Sequence, residues 1–187
     1  MTAFFSYAVD ERVKLVKPDI TMASEMYQLI CSNQAHLGSF LPIPERVQSV
    51  ADEVTFILDT MKKEGAGTNR QFFIALDEQL VGAIDIHQIR IPQKSGEVGY
   101  WLAAAFTNQG IVTKSLSVLC QLAFEEWNFN KLELIAAVTN KASNQVAQKC
   151  DFQLIGRLPD EIFHQDVLKD ANLWCLTKAD YHKLHVL

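Results

Sequence analysis

Apolar positions along this chain change period several times, and each change marks an element. Arg12 to Val16 alternates apolar and polar side chains and predicts a strand. Pro18-Asp19 then starts a run with Met22, Met26, Leu29 and Ile30 at helical spacing. Leu37-Gly38-Ser39-Phe40-Leu41-Pro42-Ile43-Pro44 breaks that helix. The loop is apolar for a connection, so it either packs on the core or lines a binding pocket. Glu45 through Lys63 predicts a second helix, with Val47, Val50, Val54, Ile57, Leu58 and Met61 forming one stripe. Past the turn at Lys62 to Asn69, Gln71 to Leu76 and Leu80 to Ile89 predict two strands, joined as a hairpin at Asp77-Glu78-Gln79.

The most informative stretch runs from Gly96 to Phe152. Gly96-Glu97-Val98-Gly99-Tyr100-Trp101-Leu102 is strand-like, rich in aromatic and β-branched residues. A loop with Gly110 at its end leads into an amphipathic helix from Ile111 to Trp127. Lys131 to Val138 reads as a buried strand, and a further helical run follows it. Gln153 to Leu158 predicts a strand, Pro159 to Lys169 an irregular charged connection, and Asn172 to Leu176 a closing strand. Asp180 to Leu187 predicts a short terminal helix. With no repeat, linker or low-complexity tract, residues 1–187 are expected to form one α/β domain, a mixed sheet with helices on both faces.

Composition narrows the function classes. The 187 residues are 49% hydrophobic and 21% charged, enough for a sizeable core. A net charge of −5 argues against a nucleic-acid partner, because phosphate backbones draw on clustered Lys and Arg. No apolar run reaches membrane-spanning length, and Met1 to Ser6 lacks the charged and apolar regions of a signal peptide. Cys31, Cys120, Cys150 and Cys175 are scattered without metal spacing, as are the histidines. No metal and a cytoplasmic location are therefore expected.

A strand, a turn ending in one Gly and a helix start make an anion site, since the first helical N–H groups lack intrahelical partners. Three stretches carry more than that. They are the Glu-Val-Gly-Tyr-Trp-Leu strand, the Asn-Gln-Gly-Ile-Val-Thr turn from Asn108, and the Asn-x-x-Ser-Asn-x-Val-Ala run from Asn140 that ends at Phe152. Together they resemble the acetyl-CoA-binding core of the GNAT acetyltransferase superfamily, and within it the RimJ/RimL branch, which acetylates N-terminal amines of ribosomal proteins. The turn keeps only the central Gly of the superfamily pattern, with Thr107 at its Gln/Arg position. Asp151 stands where the family places Gly, a position Asp tolerates because it enters the left-handed region readily.

The resemblance implies a GNAT fold, a mixed and mostly antiparallel sheet with a splayed central strand pair. It also implies acetyl-CoA in the gap as cosubstrate. Its pantetheine would pair with the backbone of Trp101, Leu102 and Ala103, and its diphosphate would rest on Asn108, Gln109, Gly110, Ile111, Val112 and Thr113. Asn140, Ser143 and Asn144 would complete the site. Gly110 permits close backbone approach.

Amine acetylation needs an uncharged amine, a polarised thioester carbonyl and a proton for the departing thiolate. The family's proposed general-base Glu aligns with Ile162, one place after Glu161. Glu97 at the start of the organising strand is a second candidate. Asp85 and His87 share one strand face and form a third proton-accepting group. Ser143 matches the residue proposed to help the thiolate, although Ser and Asn140 are equally suited to cap a helix. Ala147 occupies the position of the Tyr that many relatives use. The resemblance thus implies transfer of acetyl from acetyl-CoA to a protein N-terminal amine. Acetylation of a polyamine or aminoglycoside, and a CoA-binding regulatory domain without catalysis, remain open. It also implies a homodimer, with the Phe40–Ile43 loop and the C-terminal tail as contacts.

Overall fold

The computed structural model describes residues 4–185. Among them, eight strands form one sheet in the order β1-β2-β3-β4-β5-β6-β8-β7. The strands are β1 (Ser6–Ala8), β2 (Val13–Val16), β3 (Arg70–Leu76), β4 (Gln79–Arg90), β5 (Ser95–Leu102), β6 (Lys131–Ala137), β7 (Gln153–His164) and β8 (Val167–Thr177). Every neighbouring pair is antiparallel except β5 and β6, which a helical crossover makes parallel.

Helices cover both faces. On one lie α1 (Ala23–Ser32), α2 (Gln34–Leu37), α3 (Ile43–Arg46) and α4 (Val50–Gly65); on the other, α5 (Ile111–Gln121), α6 (Lys141–Lys149) and α7 (Lys178–His185). The central strands therefore bury both faces and read as unbroken apolar runs. On β3, Phe72 and Ile74 enter the core under α5, while Phe73 and Ala75 enter the core under α1 and α4. A π-helical turn from Leu122 to Glu126 extends α5 and ends at Trp127, whose ring stacks on Phe72 at 6.1 Å.

Four expectations are corrected. β1 is an extra strand, too short at three residues to show a period. Part of the Leu37–Pro44 loop is helical, as the ends of α2 and α3. The helix expected from Glu45 starts at Val50, after the Ser49 cap, and turns a different face inward. It buries Glu53, Ile57 and Thr60 and leaves Leu58 and Met61 exposed. On that inward side Glu64 pairs with Lys17, whose ammonium lies 4.0 Å from the Phe72 ring centroid. Burial pushes the Glu53 carboxyl up to about 7.

The fourth correction matters most for the site. Pro159 to Lys169 is not irregular: β7 and β8 continue through it as the two arms of a hairpin, with a bulge between Leu158 and Ile162. β7 is the open edge of the sheet, exposed along most of its length. An edge strand shows little alternation, and Pro159 is tolerated there because no ladder needs its missing N–H. Of the expected terminal helix, Val186 and Leu187 lie outside the described residues.

Candidate functional site

β5 and β6 pair over only three positions, Ser95 with Lys131, Gly96 with Leu132 and Glu97 with Glu133. Beyond them each strand keeps its outer partner, β4 for one and β8 for the other, so the two diverge. The expected splay is therefore present. It leaves the backbone of β5 from Val98 to Leu102 facing a gap instead of a neighbour. A cavity of about 540 Å³ fills this gap and reaches both faces of the sheet.

One end of the cavity is made of backbone. Asn108 (φ 60°) and Gly110 (φ 76°) both take left-handed conformations and bend the chain into α5. Gly110 is the cap residue, and no side chain bonds to the helix start, so the first-turn N–H groups have no side-chain partner. A side chain at Gly110 would meet nothing within 4 Å. Asn108, Gly110, Ile111, Val112 and Thr113 all line the cavity. This geometry suits a diphosphate: donors pointing at open space, a positive helix end and no acidic side chain in the first turn.

Across the gap, Asn140 caps α6, its side-chain oxygen accepting from the Ser143 N–H at 3.1 Å. Asn140, not Ser143, is therefore the cap, and Ser143 is among the residues that line the cavity. Tyr100 spans the gap, its hydroxyl donating to the Ser143 carbonyl at 3.3 Å, and burial pushes the phenol up to about 12. Sequence reasoning missed Tyr100. Alternation with Val98 and Leu102 could have placed it on the α6 side of β5.

The other end is made of side chains from paired strands. His87 on β4 sits opposite Glu97 on β5, and Asp85 opposite Gly99. The His87 ring places Nδ1 3.2 Å from Asp85 Oδ2 and Nε2 3.6 Å from Glu97 Oε1. Burial alone would lower the imidazole pKa, but the two carboxylates outweigh it and push it up to about 10. At neutral pH His87 is a cation between two anions. Gly99 makes the room: a Cβ there would stand 2.7 Å from Asp85 Oδ1 and 3.2 Å from His87 Cε1.

The outer wall comes from distant parts of the chain. Leu37, Phe40 and Leu41 line the cavity, so the apolar loop does form a pocket wall. Ile162 of β7 faces it from the opposite side. The hairpin tip is fastened to this loop: the Gly38 carbonyl lies 2.8 Å from His164 Nε2 and accepts from Gln165 Nε2 at 2.9 Å.

Not every expected residue reaches the cavity. Glu161 is exposed and Ile162 takes the inward place, since adjacent residues of a strand point to opposite faces. Asn144 is turned toward the sheet. Its amide donates to the Ala137 and Asn140 carbonyls and accepts from Asn172 and Trp174, a brace with nothing left for a ligand. Ala103 is buried and its N–H donates to the Val81 carbonyl. Gln109 folds back onto the Ala105 carbonyl. Trp101, Leu102, His87, Glu97, Asn140 and Ser143 do line the cavity. Cys120 and Cys150 line a separate, smaller cavity behind α5 and α6, where burial pushes the Cys150 thiol up to about 11. No cluster able to hold a metal occurs among the described residues.

The family described as Acetyltransferase (GNAT) domain matches residues 12–153. The ribosomal-protein-serine acetyltransferase of Escherichia coli (strain K12) is 32% identical over 149 residues, 80% of this chain and 83% of that one. Among solved structures, the microcin C7 self immunity acetyltransferase MccE, in complex with acetyl-CoA and AMP, has a TM-score of 0.87 at 28% identity, covering 90% of this chain and 94% of that one. RimL, the ribosomal L7/L12 alpha-N-protein acetyltransferase, in complex with coenzyme A, shares the fold. Its TM-score is 0.89 at 23% identity, over 92% of this chain and 98% of that one.

Proposed function

The chain belongs to the GNAT acetyltransferase family and is an acetyl-CoA-dependent N-acetyltransferase, and from that premise we propose that its acceptor is the N-terminal α-amine of a protein, with serine as the first residue. The observation that carries this reading is the cavity through the β5–β6 gap. It joins an anion-binding helix end on one side to a charged row under an apolar rim on the other. The 32% identity to an enzyme named for ribosomal-protein serine supports the acceptor class.

Acetyl-CoA supplies the activated acetyl group when bound. In this reading the α5 amides around Gly110 hold its diphosphate, and the free edge of β5 from Val98 to Leu102 aligns its pantetheine. His87, already protonated at neutral pH, cannot take the amine's proton; Glu97 beside it takes that role. The Ser143 hydroxyl donates to the departing sulfur. Tyr100 donates its hydroxyl to the Ser143 carbonyl and so fixes the α6 end.

We read residues 1–187 as one acetyltransferase domain acting in the cytoplasm, where its four cysteines stay reduced. A homodimer is part of the proposal. Leu154, Ile155 and Phe163, exposed on the open edge strand β7, support it better than the Phe40–Ile43 loop, which faces the cavity. A light-scattering mass of one chain at micromolar concentration would reject the dimer.

The function is tested by thiol release from acetyl-CoA across N-terminal peptides, polyamines and aminoglycosides. The expected result is turnover on peptides with a free N-terminal serine. MccE, similar at 28% identity and solved with AMP, favours small-molecule amines as the second reading. Turnover confined to those compounds would replace the first with the second, and none on any amine would leave a CoA-binding domain.

A further inference from the structure

The two outer walls of the cavity come from segments more than a hundred residues apart. One carries Leu37, Phe40 and Leu41, and the other carries Ile162. The first wall is tied down at its near end. Asn33, at the end of α1, accepts the Ala104 N–H at 2.8 Å and donates to the Leu29 carbonyl at 2.9 Å. The Gly38 N–H donates to the Gln34 carbonyl at 2.8 Å. At its far end the Gly38 carbonyl meets two nitrogens of the β7–β8 hairpin tip, His164 Nε2 at 2.8 Å and Gln165 Nε2 at 2.9 Å. A carbonyl oxygen only accepts, which assigns a proton of the His164 ring to Nε2. His164 is 4% exposed although it stands next to the turn of a hairpin on the sheet edge. Neither His164 nor Gln165 lines the cavity itself.

The turn gives an independent sign that this link matters. Gln165 and Asp166 form a two-residue connection between His164 and Val167, and both are left-handed, at φ 52° and 57°. Such turns favour Asn, Asp and Gly, which enter the left-handed region at least cost. Asp166 fits that preference and Gln165 does not. Backbone strain held at one residue directs attention to what that residue reaches, and Gln165 reaches Gly38. We propose that His164 and Gln165 are positioning residues for the acceptor. Through the Gly38 carbonyl they fix the spacing between the Phe40–Leu41 wall and Ile162, and so hold the slot by which the amine enters. The inference rests on the acceptor reading above and deepens it.

The test uses purified full-length protein and a peptide with a free N-terminal serine. It reads KM and kcat for the peptide, acetyl-CoA affinity by calorimetry, and the melting temperature. Gln165→Gly removes one donor and relieves the left-handed strain, so the variant should melt no earlier than the wild type. Its peptide KM should nevertheless rise about fivefold, the scale of one lost hydrogen bond. Both kcat and acetyl-CoA affinity should stay within about twofold. His164→Ala should act in the same direction, and His164→Gln, which restores an N–H donor, should recover most of the loss. A merely structural link predicts the opposite pattern, earlier melting with an unchanged KM, and that pattern in Gln165→Gly overturns the inference. So does a rise in KM matched by an equal loss of acetyl-CoA affinity. In the wild type, nitrogen NMR of the histidines should place a proton on His164 Nε2. A proton on Nδ1 alone overturns the inference, a result that needs no variant to fold. A wild type inactive on the serine peptide overturns the acceptor reading and this inference with it, whereas an active wild type with unmoved variants overturns the inference alone.

Discussion

The two ends of the cavity solve similar problems with different materials. At the α5 end the proposed anion site is made of backbone N–H groups fixed by two left-handed residues, Asn108 and Gly110. At the β4–β5 end the amine is proposed to meet side chains that cross-strand pairing brings together, Asp85 and His87 from one strand and Glu97 from the next. Backbone donors do not titrate, carry no net charge and allow an acidic chain to hold a polyanion. Side-chain donors and acceptors titrate and respond to each other. The first end should therefore be sensitive to sterics and indifferent to pH, and the second the reverse.

The largest effect should come from Gly110→Glu. It sets a negative side chain where the diphosphate approaches and forces a non-glycine residue to φ 76°. Calorimetry should show acetyl-CoA affinity falling about 100-fold or more, on the scale of two like charges at close range. Gly110→Ala keeps the backbone strain without the charge and should lose less; equal losses would mean the helix end does not meet an anion.

Next in size is the pH dependence of the amine end. His87 keeps its proton up to about pH 10 in the folded chain, against 6.5 when free. Its contribution to stability is thus fully present below about 6.5 and is lost as pH rises through 10. After discounting for partial exposure we expect about 2 kcal/mol. Denaturation of wild type and His87→Gln at pH 6 and pH 10 measures it. The gap between the two proteins should close at the higher pH, and a gap that holds constant would deny the cation between two carboxylates.

Ser143→Ala touches the boundary of the two ends. Asn140 already caps α6, so stability should change little. Turnover should fall about tenfold with acetyl-CoA affinity nearly kept, as expected of a hydroxyl that serves the chemical step. A variant that melts earlier yet turns over normally would return Ser143 to a structural role. Glu161→Gln should have the smallest effect, within about twofold in kcat/KM, since Ile162 takes the inward position. A large loss would show that the hairpin presents Glu161 to the acceptor after all.

The same contrast explains what the sequence could reveal. The Glu97–Leu102 strand, the Gly110 turn, the Asn140–Ser143 helix start and the β6 run were readable because each is local. A conformation needed within a few residues leaves its mark within those residues. Asp85 and His87 were readable as neighbours on a face, but their closure on Glu97 depends on strand register. So does the reason Gly99 lacks a side chain. Nothing local announces that His164 and Gln165 fasten the hairpin to Gly38, more than a hundred residues away. The inward face of α4 was misjudged for a related reason: Glu53 and Thr60 are buried against partners that a helical period alone cannot see. Tyr100 was overlooked because its hydroxyl matters only once α6 is known to lie across the gap.

The central claim is that the β5–β6 gap receives acetyl-CoA through backbone groups. Amide hydrogen exchange with and without acetyl-CoA tests it most directly, residue by residue and without any substitution. The account predicts slower exchange in two places, Val98 to Leu102 on the free edge of β5 and the amides from Asn108 to Thr113, with the β3–β4 ladder unchanged. Binding that leaves both segments as they were, or that protects instead the cavity around Cys120 and Cys150, would contradict it.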